Sequence, residues 1–151
     1  MGHSEIKSSD AQLAQLNEIV MIEKNAHFSP WSIKSFDEAI KAKNIFKVFL
    51  ENKKIFGYYV AIIAIDQCEI LNITIAKEKQ GIGRGNLLLK NLISLCSEKN
   101  ISNIFLEVRA SNVNAIKLYE KNGFNEVGIR HNYYQKENGK EDGLLMGYTF
   151  D

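Results

Sequence analysis

The chain has 151 residues, 45% of them hydrophobic and 25% charged, with a net charge of +1. That length suits a single domain, residues 1–151, able to bury its own core. The near-neutral balance excludes the strong field expected of a nucleic-acid or anionic-membrane binder, and no apolar run approaches the ~20 residues of a membrane span. Met1-Gly2-His3-Ser4-Glu5 lacks the apolar segment of a signal peptide, and His3 is given no role. Cys68 and Cys96 lie in apolar surroundings far apart in sequence. They read as reduced core side chains of a cytoplasmic protein rather than as a disulfide or a metal pair.

Ser8-Ser9-Asp10 offers helix caps before Leu13, Leu16, Ile19, Val20 and Met21, whose spacing predicts a helix with one buried stripe. Ser29-Pro30-Trp31-Ser32 interrupts it, and Ser32 caps a second helix carrying Phe36, Ala39 and Ile40. Phe46 to Leu50 reads as a strand, Glu51 to Lys54 as a polar turn and Ile55 to Ile65 as a long strand. Asp66-Gln67 turns into another strand from Ile70 to Ile75, and the short connections make these three an antiparallel meander. Beyond a glycine-rich segment, Leu87, Leu88, Leu92, Leu95 and Cys96 recur at helical spacing to about Lys99. Asn103 to Arg109 is the next strand, with Ile104, Leu106 and Val108 on one face and Phe105, Glu107 and Arg109 on the other. Ser111 or Asn112 caps a short helix holding Ile116 and Tyr119, and Gly123 closes it in a left-handed conformation. Phe124 to Arg130 and Leu144 to Phe150 are the last strands, joined by a polar loop containing Asn138-Gly139. The expected fold is α/β: a mixed, mostly antiparallel sheet of six or seven strands flanked by about four helices. The strands on either side of the third helix are parallel.

The segment Gln80-Gly81-Ile82-Gly83-Arg84-Gly85 stands where a strand gives way to a helix. Glycines at alternating positions leave the main chain uncovered just where unpaired N–H groups and the positive end of the helix dipole converge, a setting suited to phosphate. The common nucleotide patterns are absent: there is no GxxxxGK[ST], and Asn86 sits where a dinucleotide fingerprint has its third glycine. A flexible connection into a helix is the competing reading.

Its context adds specificity. Gln80-x-x-Gly83-x-Gly85 after a strand, Glu107 on the next strand, then Asn112 to Tyr119 into Gly123-Phe124, resembles the GNAT acetyltransferase superfamily. Further strings resemble RimI-type alanine N-acetyltransferases, which modify a small-subunit ribosomal protein. These are Pro30-Trp31-Ser32, Asn72-Ile73, Leu106-Glu107-Val108-Arg109-Ala110-Ser111-Asn112, Arg130 with Asn132-Tyr133-Tyr134, and Glu141-Asp142. Together they span about residues 27 to 146.

The resemblance implies acetyl-CoA as cosubstrate and no metal. It implies main-chain contacts from Ile73, Thr74 and Ile75 to the pantetheine arm where two strands splay apart. Lys79, Gln80, Gly81, Ile82, Gly83, Arg84 and Gly85 would hold the diphosphate, and Asn112 would touch the cofactor. Glu107 is implied as general base and Tyr119 as general acid. Acetyl-CoA would enter between the Ile70–Ile75 and Ile104–Arg109 strands, and the acceptor would approach between Trp31 and the final hairpin. One departure stands out: the connection from Ile75 to Gln80 is about two residues shorter than the family pattern, and Gly85 and Gly143 stand where alanine is common.

The chemistry of the residues agrees with these roles. An α-amine with pKa near ~8 is largely protonated at neutral pH, so a carboxylate must take a proton before attack on a thioester. Glu107 suits that, and its competing reading is a solvated strand residue paired with Arg109 or Lys117. A phenol at Tyr119 can protonate the departing thiolate; alternatively it is a core aromatic at helical spacing from Ile116. Trp31, Tyr133 and Tyr134 could line a peptide groove or pack on the sheet, and Glu141 and Asp142 could attract a basic N-terminus or lie in a solvated loop. His27 and His131 have no third group at metal-ligand spacing. The expected reaction is direct acetyl transfer to a ribosomal-protein N-terminus, without nucleic acid or membrane as partner. A lysine or small-amine acceptor, or a non-catalytic coenzyme-binding module, are the alternatives.

Overall fold

The computed structural model describes residues 5–151; Met1 to Ser4, and with them His3, lie outside the described residues. Among the described residues, seven strands and four α-helices divide between two compact units. The first unit holds residues 5–62 together with Leu71–Leu88. It contains β1 (Ile6–Asp10), α1 (Leu16–Ala26), α2 (Ile33–Lys41), β2 (Ile45–Glu51), most of β3 (Lys54–Ala64) and the second half of β4 (Gln67–Ile75). The second unit holds Ile63–Ile70 and Leu89–Asp151, with the rest of α3 (Arg84–Glu98), β5 (Asn103–Arg109), α4 (Val113–Lys121), β6 (Asn125–Lys136) and β7 (Gly139–Thr149).

In the first unit the strand order is β1-β2-β3-β4. The Ser8–Asp10 segment is not a cap, as its composition suggested, but an edge strand paired antiparallel with β2. The same small polar side chains that cap helices also suit an exposed edge, and here Asp10 takes an ion pair from Lys47 of the neighbouring strand at 2.6 Å. Helix α1 therefore begins later, at Leu16, after a single 3-10 turn at Leu13–Gln15. Ser32 caps α2 as predicted, its side chain accepting from the Ser35 amide at 3.2 Å. Leu16, Ile19, Phe36, Phe46, Val48 and Tyr58 are central to one buried cluster. The β2–β3 ladder slips by one residue between Phe49 and Leu50, which pair with Gly57 and Ile55, so Phe56 is the extra residue of a bulge.

In the second unit the order is β4-β5-β7-β6. The predicted parallel pairing is present: Gln67–Glu69 align with Asn103–Phe105. Strand β5 has the expected bounds and alternation, with Ile104, Leu106 and Val108 buried and the intervening residues half-buried. Gly123 follows α4 at φ 96°. The final strands run much further than composition suggested, because Glu137-Asn138 is a tight turn between them and Gly139 already belongs to β7. Glu141 and Asp142 consequently sit on a strand, not in a loop. The β6–β7 register shifts between Arg130 and Tyr134, with Asn132 in a left-handed conformation at φ 53°. Cys68 and Cys96 are buried and form no disulfide. Among the described residues, no helix is long and apolar enough to cross a membrane.

Candidate active site

Strand β4 ends at Ile75, and the next amide, of Ala76, donates to the Phe56 carbonyl at 2.7 Å. One 3-10 turn, Lys77–Lys79, leads to Gln80, whose Nε2 donates back to the Ile75 carbonyl at 3.0 Å. Gly81 and Gly83 adopt φ of 79° and 84°, left-handed values that other residues seldom take, and a Cβ on either would meet nothing within 4 Å. Their bareness is thus required by the backbone, not by packing. Gly85 lies within the first turn of α3, so two glycines, not three, shape the turn.

Lys79 and Arg84 stand at the two ends of that turn and share one carboxylate. Lys79 Nζ is 3.2 Å from Glu51 Oε1, and Arg84 Nη2 donates to Glu51 Oε2 at 2.8 Å. The Arg84 guanidinium also lies over the Phe56 ring, 5.4 Å from its centroid. Among the described residues, Arg84 Nε is buried without a hydrogen-bond partner, leaving a donor for an anion. Main-chain N–H groups at a helix start, two left-handed glycines and this spare donor fit a diphosphate.

A second constellation in the same unit was not legible in the sequence. Glu23, on α1, is 1% exposed. Its Oε1 accepts from the Tyr58 hydroxyl at 2.6 Å and from Asn72 Nδ2 at 3.2 Å, and its Oε2 accepts from the Trp31 amide at 3.0 Å. Thr74 Oγ1 is 3.4 Å from Oε1 and donates to Asn72 Oδ1 at 2.7 Å, while His27 Nε2 lies 2.7 Å from Thr74 Oγ1. Burial, then the Glu23 charge, pushes the Tyr58 phenol far up, so it stays a donor. This carboxylate therefore ties the Trp31 loop to the strand carrying Ile73, Thr74 and Ile75. Trp31 itself is half-buried against Phe36, ring centroids 5.1 Å apart. The available signal was a carboxylate in line with Leu16 and Ile19 on the buried face of a helix.

In the second unit Glu107 is half-buried on β5, and its partner is neither Arg109 nor Lys117. Arg130 Nε lies 2.6 Å from Glu107 Oε1. Burial first, then the Glu107 charge, raises the Tyr134 phenol. Tyr133 and Tyr134 meet edge to face at 5.0 Å, and each carries a guanidinium: Arg130 over Tyr133 and Arg109 over Tyr134. A Cβ on Gly143 would lie 2.9 Å from Tyr134 Cε2, so an alanine there would displace the ring. Tyr119 is 7% exposed and packs on Phe124. Burial, with Tyr134 nearby, pushes its phenol well above the ordinary range and keeps it protonated.

Glu141 and Asp142 have internal partners. Glu141 accepts from the Ser111 amide at 3.0 Å and pairs with Arg109 at 3.3 Å; Asp142 accepts from the Asn132 amide at 2.9 Å. Asn112 caps α4, accepting from the Ala115 amide at 3.3 Å. Ile73, Ile75 and Lys79 are half-buried, Thr74 is buried, and Gln80, Ile82 and Asn112 are exposed. Among the described residues, no cluster of three His, Cys, Asp or Glu side chains is placed to hold a metal ion.

Comparison with known proteins matches residues 14–124 to the model of the acetyltransferase (GNAT) family. The chain is 35% identical over 138 residues to the [ribosomal protein bS18]-alanine N-acetyltransferase of Escherichia coli strain K12, covering 91% of this chain and 93% of that protein. Its counterpart in Haemophilus influenzae is 37% identical over 139 residues, with coverage of 91% and 94%. The crystal structure of the Escherichia coli ribosomal-protein-S18-alanine N-acetyltransferase superposes with a TM-score of 0.91 at 33% identity, over 96% of this chain and 94% of that one. The chain belongs to the GNAT acetyltransferase family and is an acetyl-CoA-dependent acyltransferase.

Proposed function

We propose that this enzyme acetylates the N-terminal alanine amine of a small-subunit ribosomal protein in the cytoplasm. The observation that carries the acceptor assignment is the likeness to bS18-alanine N-acetyltransferases across nine-tenths of both chains. Acetyl-CoA supplies the activated acyl group. The Gln80–Gly83 turn, with Lys79, Arg84 and the start of α3, holds its diphosphate; the main chain at Ile73–Ile75 takes the pantetheine arm, and Asn112 adds a contact.

Glu107, oriented by its 2.6 Å contact with Arg130, accepts the proton that the ammonium must lose, directly or through a water. The freed amine attacks the carbonyl carbon as the carbon–sulfur bond breaks. Tyr119, a buried phenol that keeps its proton, delivers it to the departing sulfur. The acyl group passes directly to the amine, with no acetyl-enzyme. A covalent thiol route suits neither cysteine, because both thiols are buried. Trp31, Tyr133, Tyr134, Glu141 and Asp142 serve the acceptor peptide, the two carboxylates chiefly by fixing the Ser111 and Asn132 main chain around it.

Mass spectrometry after incubation with acetyl-CoA and an alanine-starting ribosomal peptide tests the reading. A single acetyl group on the α-amine is expected. An unmodified peptide beside rapid acetylation of spermidine would overturn the acceptor; cofactor binding with no turnover on any amine would overturn catalysis.

A further inference from the structure

We infer that Glu51 is a positioning residue that clamps both ends of the Gln80–Gly83 turn and thereby sets the affinity for acetyl-CoA. The inference rests on the reading of that turn as the diphosphate grip. Little covers the turn itself: a Cβ at Gly81 or Gly83 would meet open space, and residues 80–83 are exposed. Two glycines in so short a segment make it intrinsically loose. Its conformation must be held from its ends, and Glu51 holds both, through Lys79 before the first glycine and Arg84 after the second.

The anchor is rigid. Glu51 is 8% exposed and ends β2, where it pairs with Ile6 of β1 and Lys54 of β3. Arg84 is fixed from a second side by the Phe56 ring. The single 3-10 turn after Ile75 brings Lys79 within reach of the same carboxylate.

Glu51 does not use up the cations it holds. One carboxylate against two positive side chains leaves the cluster with one net positive charge, and Arg84 Nε has no hydrogen-bond partner among the described residues. A carboxylate that merely competed with phosphate would weaken binding. One that orders the main-chain donors strengthens it, because the turn is then shaped before the ligand arrives.

The test is Glu51→Gln. In the ligand-free protein, amide hydrogen exchange at residues 79–84 should accelerate. The Kd and KM for acetyl-CoA should rise about tenfold, the effect of losing one hydrogen bond to a charged group. The kcat at saturating acetyl-CoA and the KM for peptide should not move, a split that general destabilisation would not produce. Unchanged exchange, or acetyl-CoA binding as tight as wild type or tighter, overturns the clamp. Should Glu51→Gln fail to fold, Glu51→Asp keeps the charge but shortens its reach by one methylene. A raised KM for acetyl-CoA at constant kcat supports the clamp there, and a wild-type KM overturns it. Wild-type protein that binds no acetyl-CoA would sink the reading of the turn, while the exchange measurement would still decide the clamp.

Discussion

Replacing Glu23 by alanine removes the acceptor for three buried or half-buried donors at once: the Tyr58 hydroxyl, the Trp31 amide and the Asn72 side-chain amide. Each stranded donor costs about 1–3 kcal/mol when water cannot reach it. Tyr58 is fully buried and Asn72 nearly so, whereas Trp31 is half-buried and regains some solvent. The expected loss for Glu23→Ala is about 3–5 kcal/mol, the range seen when a buried charged network loses its centre. Glu23→Gln keeps the shape. The Tyr58 hydroxyl can rotate to accept from the new amide nitrogen, but Asn72 donates to both carboxylate oxygens and must lose one contact. That variant should cost about 1–2 kcal/mol. In a chain of this size 1 kcal/mol moves Tm by ~2–4 °C, so the two variants separate cleanly in a melt. Urea titration followed by fluorescence of Trp31, the only tryptophan, reads the same event locally and globally. A Glu23→Ala protein within about 1 kcal/mol of wild type would refute the claim that this carboxylate organises the Trp31 loop and the Asn72–Thr74 strand.

Four further outcomes are expected. Glu107→Gln should lower turnover by about 10²–10⁴-fold, most severely at low pH where free amine is scarce, with acetyl-CoA affinity by calorimetry nearly unchanged; wild-type rates would remove it as base. Tyr119→Phe should slow single-turnover acetyl transfer by about 10²–10⁴-fold while preserving the fold by circular dichroism, and an equal rate would leave Tyr119 a core residue only. Gly57→Ala would place a Cβ 2.9 Å from the Thr74 carbonyl and 3.0 Å from Ile75 Cδ1, pushing back the strand proposed to meet pantetheine; the KM for acetyl-CoA should rise several-fold, and an unchanged KM refutes that placement. Hydrogen bonds from the Ser111 hydroxyl and amide, then Arg109, hold the Glu141 carboxyl below its ordinary 4.5. The stabilisation from that depressed folded-state value is complete above the unfolded pKa and disappears as pH falls through the folded one. Glu141→Gln should therefore flatten the acid limb of a Tm-against-pH curve; an unaltered limb counts against it.

The parts of this fold that were legible in the sequence are those fixed by neighbours in the chain. Asn103–Arg109 alternates cleanly and sits between turn residues, so both its bounds and its buried face could be read. Ser32, Asn112 and Gly123 declare helix ends through chemistry that acts over three or four residues. Ser8–Asp10 misled because capping residues and edge-strand residues are the same types, and only pairing with Lys47 to Glu51 decides between them. The partners of Glu23 and Glu107 were hidden for a different reason. Tyr58, Asn72 and Thr74 lie 35, 49 and 51 residues from Glu23, and no local pattern reports such distances. Arg130 reaches Glu107 because β6 and β5 both border β7, an arrangement that appears only once strand order is known.

The bulge at Phe56 couples the β2–β3 hairpin to the turn proposed to hold the coenzyme. Its extra residue turns one carbonyl toward Ala76 and one aromatic face toward Arg84. Deleting a single residue of the Asn52-Lys53 tip would realign the ladder and rotate that ring to the opposite side of the sheet. On the proposed reading of that turn, an enzyme so altered would keep every residue of its chemistry yet bind its acyl donor less tightly, so the length of this adjoining hairpin tunes how much coenzyme the protein demands.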